Sequence, residues 1–299
     1  MHPSLPTQNT LFDLPHLGVL NLLGEKGPEF LQGQISCDVH QVNTHTMRQG
    51  ALCNLKGRVL ALPDVIAWHG LKLILPQNLL LQTQKSLTAT AMLSRVTLEP
   101  ATHYHVLGFY LHDATQACPI EGTWPSEKYK LLTQDNVCAY HIGDNFYLML
   151  VHASLLEKIK TPFIQNNLLQ NEQTWHALRL QHGEIQIYPE SRGLFLPHRL
   201  GLQHTGHLNF NKGCYKGQEI IARTHYRAKT KHAMKILTIE TSMTLKPGLR
   251  IMTEDGTREV GELVDFSYLD NNQVVIAASL LLEHPNTIRF EDHEHIVML

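Results

Sequence analysis

The sequence predicts an α+β protein that ends in a small all-β module. Three observations predict it. Of 299 residues, 43% are hydrophobic and 17% charged, which suits a globular chain with a sizeable core. Strand-like and helix-like patterns alternate in two successive stretches, the arrangement of helices laid on sheet faces. After Lys231 the texture becomes strands punctuated by turns at Lys246-Pro247-Gly248, Glu254-Asp255-Gly256 and Asp270-Asn271-Asn272. That spacing predicts a barrel or sandwich.

Gly27-Pro28 opens a helix, because proline fits the first turn, where its missing N–H costs nothing. Phe30, Leu31 and Ile35 follow at near-helical spacing. Residues 50–56 and 58–68 are β-rich and meet at Gly57, which reads as a hairpin. Leu71–Leu75 is a third strand, 78–94 a helix rich in alanine, leucine and glutamine, and Arg95–Leu98 a returning strand. In the second stretch Tyr104–Leu111, Val137–Ile142 and Phe146–Val151 read as strands, and Ser154–Phe163 as a helix. The polar run Gln165–Glu172 reads as a linker, and 174–182 as a helix ended by Gly183. The expected units are 1–102, 103–232 and 233–299, and the chain has no internal repeat. Roughly two domains would be usual for this length.

Several classes are disfavoured. A net charge of −2 gives no bulk reason to bind nucleic acid. The cysteines, Cys37, Cys53, Cys118, Cys138 and Cys214, are odd in number, scattered and free of C-x-x-C pairs. That argues against a disulfide framework or zinc ribbon and for a reducing compartment. Met1-His2-Pro3-Ser4 lacks the features of a secretory signal. The most apolar stretch, Leu71–Leu81, is interrupted by Pro76, Gln77 and Asn78, so no membrane span is expected. A cytoplasmic protein follows. Histidine pairs at His103/His105, His204/His207 and His293/His295 lack a third ligand at metal-binding spacing. No protein-only metal site is expected.

The segment Asn211-Lys212-Gly213-Cys214-Tyr215-Lys216-Gly217-Gln218-Glu219 is the most unusual in the chain. Glycines flank the cysteine and permit positive φ or close approach to a ligand. Lysines flank it and would favour the thiolate, the reactive form. Two readings stand from the segment alone: a working thiol, or a small buried hydrophobe among turn glycines. Between residues 212 and 235, seven cations (Lys212, Lys216, Arg223, Arg227, Lys229, Lys231, Lys235) face Glu219 alone. An anionic partner, such as a polyglutamate tail, a phosphate or an RNA backbone, or a merely solvated face would explain them. Lys56-Gly57-Arg58 repeats the theme of a glycine between cations. A cysteine hydrolase pairing Cys214 with His225 and Glu219 has no supporting signature around it.

Lys212-Gly213-Cys214-Tyr215-Lys216-Gly217-Gln218-Glu219, with Ala222-Arg223 and Tyr226-Arg227, resembles the K-G-C-Y-x-G-Q-E signature of the YgfZ family. Phe30-Leu31-Gln32-Gly33-Gln34 with Asp38-Val39, Cys53-Asn54-Leu55-Lys56-Gly57-Arg58, Arg179-Leu180-Gln181-His182-Gly183, and Pro197 with Leu202-Gln203 match further landmarks in order. The resemblance implies two ferredoxin-like-type α+β units around a central cleft, as in the glycine-cleavage T-protein, and a small C-terminal β-barrel. It implies tetrahydrofolate or a derivative as ligand, a role in iron–sulfur cluster assembly or repair, and cluster-dependent tRNA modification. Partners would be folate, iron–sulfur client or assembly proteins and, indirectly, tRNA.

On that resemblance Cys214 is the functional thiol, serving transiently as a cluster or sulfur ligand or as a redox-sensitive group. Gln181, Lys56, Gly57, Arg58, Lys212, Tyr215, Arg223 and Arg227 are the candidate ligand contacts. One cysteine does not fill the usual four cluster positions, so a cluster role would be shared. The sequence departs from the T-protein. Leu60 and Ala61 stand where a catalytic acid is expected, Gln181 stands for a pterin-recognising glutamate, and Ala228 replaces a glycine. A folate-dependent aminomethyl-type transferase and a direct tRNA-binding protein are the alternatives. The transferase needs an acid, which Asp64 would supply only with a shift of strand register.

Overall fold

The computed structural model describes residues 4–227, 231–269, 272–291, 293 and 296–298. Ala228, Lys229, His295 and the Asp270-Asn271 part of the last turn lie outside these residues. The strands of the first half are β1 (Thr10–Asp13), β2 (Leu17–Leu23), β3 (Arg48–Gln49), β4 (Leu52–Cys53), β5 (Val59–Ala61), β6 (Asp64–Ala67), β7 (Leu71–Pro76), β8 (Thr97–Pro100) and β9 (Tyr104–Tyr110). Then come β10 (Leu131–Gln134), β11 (Val137–Gly143), β12 (Phe146–His152) and β13 (Leu169–Gln170). The last six are β14 (His232–Glu240), β15 (Arg250–Thr253), β16 (Glu259–Tyr268), β17 (Gln273–Leu281), β18 (Thr287–Phe290) and β19 (Ile296–Met298). The helices are α1 (Gly27–Gln32), α2 (Gln77–Leu93), α3 (Leu156–Gln165), α4 (Glu172–Gln181) and α5 (Gln218–Arg227).

One sheet has the order β3-β6-β7-β2-β8, and a second β10-β11-β12-β9-β1-β13. Side-chain alternation sorts each strand between two layers. In β12, Phe146, Leu148 and Leu150 face the layer between the sheets, while Tyr147, Met149 and Val151 face α3. In β7, Leu71, Leu73 and Leu75 face the core with α2, while Ile74 faces the second sheet. Helix α4 enters the same layer through Trp175 and Leu178.

The hairpin at Gly57 forms, with β4 antiparallel to β5 and Gly57 at φ +69°. Residues 58–68 are not one strand, however. Pro63 has no N–H to continue a ladder, and its carbonyl instead accepts from Gly50 N at 3.1 Å. The chain therefore changes sheets between β5 and β6. The run Gln165–Glu172 is no free linker either. Leu169 and Gln170 pair in parallel with Leu11 and Phe12, and Asn171 Oδ1 accepts from Thr174 N at 3.0 Å to cap α4.

The C-terminal sheet is antiparallel in the order β14-β17-β16-β15-β18-β19. Its edge strands β14 and β19 come into contact, so the sheet curls as a half-barrel. Its turns use Gly248 (φ +84°) and Gly256 (φ +69°), where a side chain would be strained. Val264, Val275 and Ala277 join the core of the first sheet, and Arg199 pairs with Glu262 across the junction. Among the described residues no helix is long and apolar enough to cross a membrane.

Gly108 makes room for α4. A Cβ there would lie 2.6 Å from the Trp175 ring, far inside contact distance. Gly108→Ala is expected to lower stability by about 1–3 kcal/mol through overpacking. Urea denaturation followed by tryptophan fluorescence reads this as a lower midpoint at an unchanged slope.

Candidate functional site

Where the two sheets and α4 meet, a cavity of about 100 Å³ opens. Its polar lining is Gln49, Asp64, His176, Arg179, Glu184, Gln186 and His207, and its apolar lining includes Leu62, Ile74, Ile142 and Trp175. An outer chamber of about 480 Å³ shares Pro76, His176, Gln186 and Ile187 with it and adds His16, Glu172 and Tyr188. The two form one cleft with a narrow inner end.

Asp64 faces this cleft without any shift of register. It lies two residues after Leu62, and side chains two apart on an extended chain share a face. Leu62 and Asp64 both line the cavity. The expectation that Asp64 needs a shifted strand is therefore corrected. Asp64 Oδ2 accepts from Tyr140 OH on the opposite sheet at 3.0 Å, and Oδ1 accepts from Gln49 Nε2 at 3.2 Å. Burial pushes its carboxyl up to about 6, with Glu184 adding to the rise and the two hydrogen bonds opposing it.

Glu184 behaves oppositely. Burial would raise it, but Arg179 and, more weakly, Lys128 hold its carboxyl below the usual range. Arg179 Nη2 is 3.2 Å and Lys128 Nζ 3.5 Å from Glu184 Oε1. His207 is pushed down to about 4, chiefly by burial, and stays neutral. Two carboxyl groups in one cleft are thus pushed in opposite directions, Asp64 up and Glu184 down, an arrangement that suits acid–base or hydrogen-bonding work. Arg179 Nη1 is buried and has no hydrogen-bond partner among the described residues, so the wall offers a donor to an acceptor group in the cleft.

Lys212 is the pin of the cysteine loop. Its Nζ donates to the carbonyls of Gln32, Ile35 and Cys37 at 2.7, 2.7 and 2.8 Å. Burial lowers its pKa to about 8, which leaves it a cation at neutral pH with its three donors used. Tyr215 packs in the core of the first sheet, 7% exposed, with Lys212 over its ring at 5.1 Å. The backbone N–H of Lys216 donates to Gly33 O at 3.0 Å. Gly217 (φ +84°) sits against the other glycine turn. A Cβ on it would meet Asn54 O at 2.5 Å and Gly57 Cα at 3.0 Å. The Phe30–Gln34, Cys53–Arg58 and Lys212–Glu219 motifs therefore converge, though they are far apart in sequence.

Cys214 is exposed at this convergence, next to an unobstructed Gly213. Cys37, Cys53 and Cys138 are buried and pushed up to about 12 by that burial, the inert state of a core thiol.

None of the expected contact residues lines the cleft. Lys56 and Arg58 are exposed on the glycine turn, where Asn54 Oδ1 accepts from both of their backbone N–H groups and the Arg58 guanidinium donates to Leu194 O. Arg223 and Arg227 line an open groove on α5 with Glu219, Ala222 and Tyr226. Lys212 and Tyr215 are taken up internally and are not free to meet a ligand, because burial and three carbonyls occupy them. Gln181 ends α4 and is not among the residues lining either chamber. Arg179, two residues earlier in the same motif, occupies the cavity wall. The sequence does not mark Glu184, His176 or Gln186 as site residues, and His207 stands out there only as one of a histidine pair. A helix-facing pattern places Arg179 with Trp175, but nothing local marks the others. Among the described residues no cluster suited to a metal ion occurs.

Asp64→Asn tests the cleft's electrostatics. A carboxyl whose folded pKa is raised contributes fully below its unfolded value of 3.8 and loses that contribution as pH rises toward about 6. The wild type should therefore lose on the order of 3 kcal/mol relative to Asp64→Asn between these limits. Paired unfolding curves across that range check it. Lys212→Met, which leaves three buried carbonyls unpaired, is expected to cost at least about 2 kcal/mol and to speed protease cleavage around residue 214.

No family model matches the chain. It is 27% identical over 282 residues to the tRNA-modifying protein YgfZ of Escherichia coli O157:H7, covering 89% of this chain and 84% of that one. The YgfZ protein of Colwellia psychrerythraea is 24% identical over 280 residues, covering 90% and 85%. That of Klebsiella pneumoniae is 26% identical over 274 residues, covering 89% and 84%. Among solved structures, the glycine cleavage system aminomethyltransferase T from Bartonella henselae superposes with a TM-score of 0.76 at 12% identity, over 97% of this chain and 84% of its own. By sequence, over about nine-tenths of its length, the chain is a relative of the YgfZ proteins, and its fold is that of the glycine-cleavage T-protein.

Proposed function

We propose that the chain is a cytoplasmic folate-binding auxiliary protein that supports iron–sulfur cluster assembly or repair and thereby cluster-dependent tRNA modification, with Cys214 as its functional thiol. The observation that carries this reading is the exposed Cys214 on a loop held by Lys212 and Gly217, while the three most buried cysteines are inert. A core filler would not be exposed, and a loose surface loop would not be pinned by a buried ammonium. Soft thiolate suits iron–sulfur chemistry. The names of the relatives support the link to tRNA modification.

The cleft suits a folate in its polarity. Arg179 Nη1 lacks a partner among the described residues, and Asp64 and Gln49 present further donors and acceptors at the inner end. A bound tetrahydrofolate would bring a pterin edge of mixed donors and acceptors and a carboxylate tail. Arg179 would donate to an acceptor of that edge, Asp64 would pair with its donors, and Trp175 and Leu62 would exclude water beside it. Lys56, Arg58, Arg223 and Arg227 are exposed elsewhere and suit an anionic partner better than this ligand.

Asp64 also favours a second reading, a folate-dependent transferase, because it puts a buried acid of raised pKa in the cleft. The exposed Arg223, Tyr226 and Arg227 face of α5 keeps direct tRNA binding open as a third, marked by steep salt dependence.

Tetrahydrofolate binding, methylthio-modified tRNA and the activity of a cluster enzyme should be measured for the wild type and Cys214→Ala. The variant is expected to bind folate as the wild type does while cluster-dependent activity falls several-fold. Unchanged cluster-dependent activity sinks the thiol's role. Turnover of methylene- or methyl-folate by purified protein replaces the proposal with the transferase.

A further inference from the structure

The C-terminal half-barrel sends one carboxylate to the wall of the cleft. Asp265, on β16, has no solvent exposure. Its Oδ1 accepts from Tyr188 OH at 2.6 Å and Phe266 N at 2.8 Å, and its Oδ2 accepts from Gln186 N at 2.7 Å. His176 Nε2 lies 3.1 Å from the same Oδ2. The ladder between β16 and β17 shifts register between Leu263 and Asp265. A bulge of this kind re-aims the side chains that follow it. Here Val264 enters the core of the first sheet while Asp265 meets α4.

Three of the four donors to Asp265 belong to residues that wall the cleft. His176 and Gln186 line both chambers, and Tyr188 lines the outer one. The bond to an ionised carboxylate requires the His176 proton on Nε2. Nδ1 then remains as the ring nitrogen with no hydrogen-bond partner among the described residues. Burial disfavours the His176 imidazolium, but Asp265 and, more weakly, Glu172 outweigh it and raise the ring's pKa. The other groups facing this ring are His16, before β2, and Tyr188, after α4. His16 Nδ1 is 2.8 Å from Glu172 Oε2, and burial keeps His16 below its usual value. Arg179, Glu184, Asp64 and His207 complete the charged lining on the inner side.

We propose that Asp265 is a positioning residue of the cleft, which commits the Nε2–H of His176 and leaves Nδ1 as an acceptor to meet a donor group, an amine or amide N–H, of the bound ligand. The half-barrel is then a part of the binding site. This rests on the folate reading above for the ligand, but the fixing of His176 is independent of it.

The test has two halves. On the free protein, 15N-histidine NMR reads the His176 tautomer and titration. The wild type is expected to show the Nε2–H form and a midpoint above that of an unperturbed histidine, and Asp265→Asn a lowered midpoint. On the liganded protein, calorimetry with tetrahydrofolate compares wild type, His176→Gln, Asp265→Asn and the double variant. Each single change is expected to weaken binding roughly tenfold, the loss of one good hydrogen bond, and the double variant to be no worse than either. Tyr188→Phe, which loosens Asp265 but keeps the histidine bond, should bind nearly as the wild type. If Asp265→Asn does not fold, His176→Gln and Tyr188→Phe carry the comparison. An Asp265→Asn protein that folds and binds as the wild type, or an unchanged His176 titration, overturns the proposal. Failure of the wild type to bind tetrahydrofolate overturns the folate reading and the ligand half with it, while the NMR still decides whether Asp265 fixes the ring.

Discussion

The ammonium of Lys212, buried against three carbonyls at the end of α1, is the constraint from which the arrangement of the motifs follows. A charge that deep is tolerated only when all its donors are satisfied. Gln32 is the last residue of α1, so its carbonyl has no partner within the helix, and the carbonyls of Ile35 and Cys37 follow in the segment just beyond it. The lysine thus solves two problems at once, its own burial and the open end of a short helix. The consequence is mechanical. The loop carrying Cys214 is held to the first sheet's core, and Tyr215 follows into that core as the residue between two anchored positions.

Glycine completes the same junction. Gly57 and Gly217 approach so closely that a methyl group on either would strike the other's surroundings, and both have positive φ. Two tight turns packed back to back leave their tips exposed. Lys56 and Cys214 are at such tips, which explains why the exposed thiol and the exposed cations belong to motifs whose other members are buried.

The cleft is organised by a different principle, the separation of like charges. Asp64 bridges the two sheets through Tyr140, and Glu184 is held by Arg179 and Lys128. Both are buried, so each feels the other, and the cations go to one of them. The result is one carboxyl pushed up and one held down. Asp265 extends the network outward, joining the half-barrel to α4 and to the segment after it. The cleft therefore depends on all three large sheets, and its lining is gathered from many separate elements.

The sequence by itself determined the local elements, because these follow from short-range patterns. Gly-Pro starts α1, a glycine between cations turns the hairpin, short runs of apolar and aromatic residues make β9, β11 and β12, and Asn171 with Gly183 bounds α4. It also determined which motif matters, since K-G-C-Y-x-G-Q-E is contiguous. Tertiary structure alone decided what each member does. Lys212 and Tyr215 have the composition of ligand contacts and became anchors, because only the folded chain brings three unpaired carbonyls to that lysine. Gln181 and Arg179 are neighbours in one motif, yet only Arg179 lines the cleft. Pro63 moves the chain from one sheet to the next, and beyond it Asp64 reaches the cleft. His176 and Asp265 are 89 residues apart, and no periodicity links them. Hydrogen bonds and burial act through space, so residues joined only by those forces leave no mark along the chain.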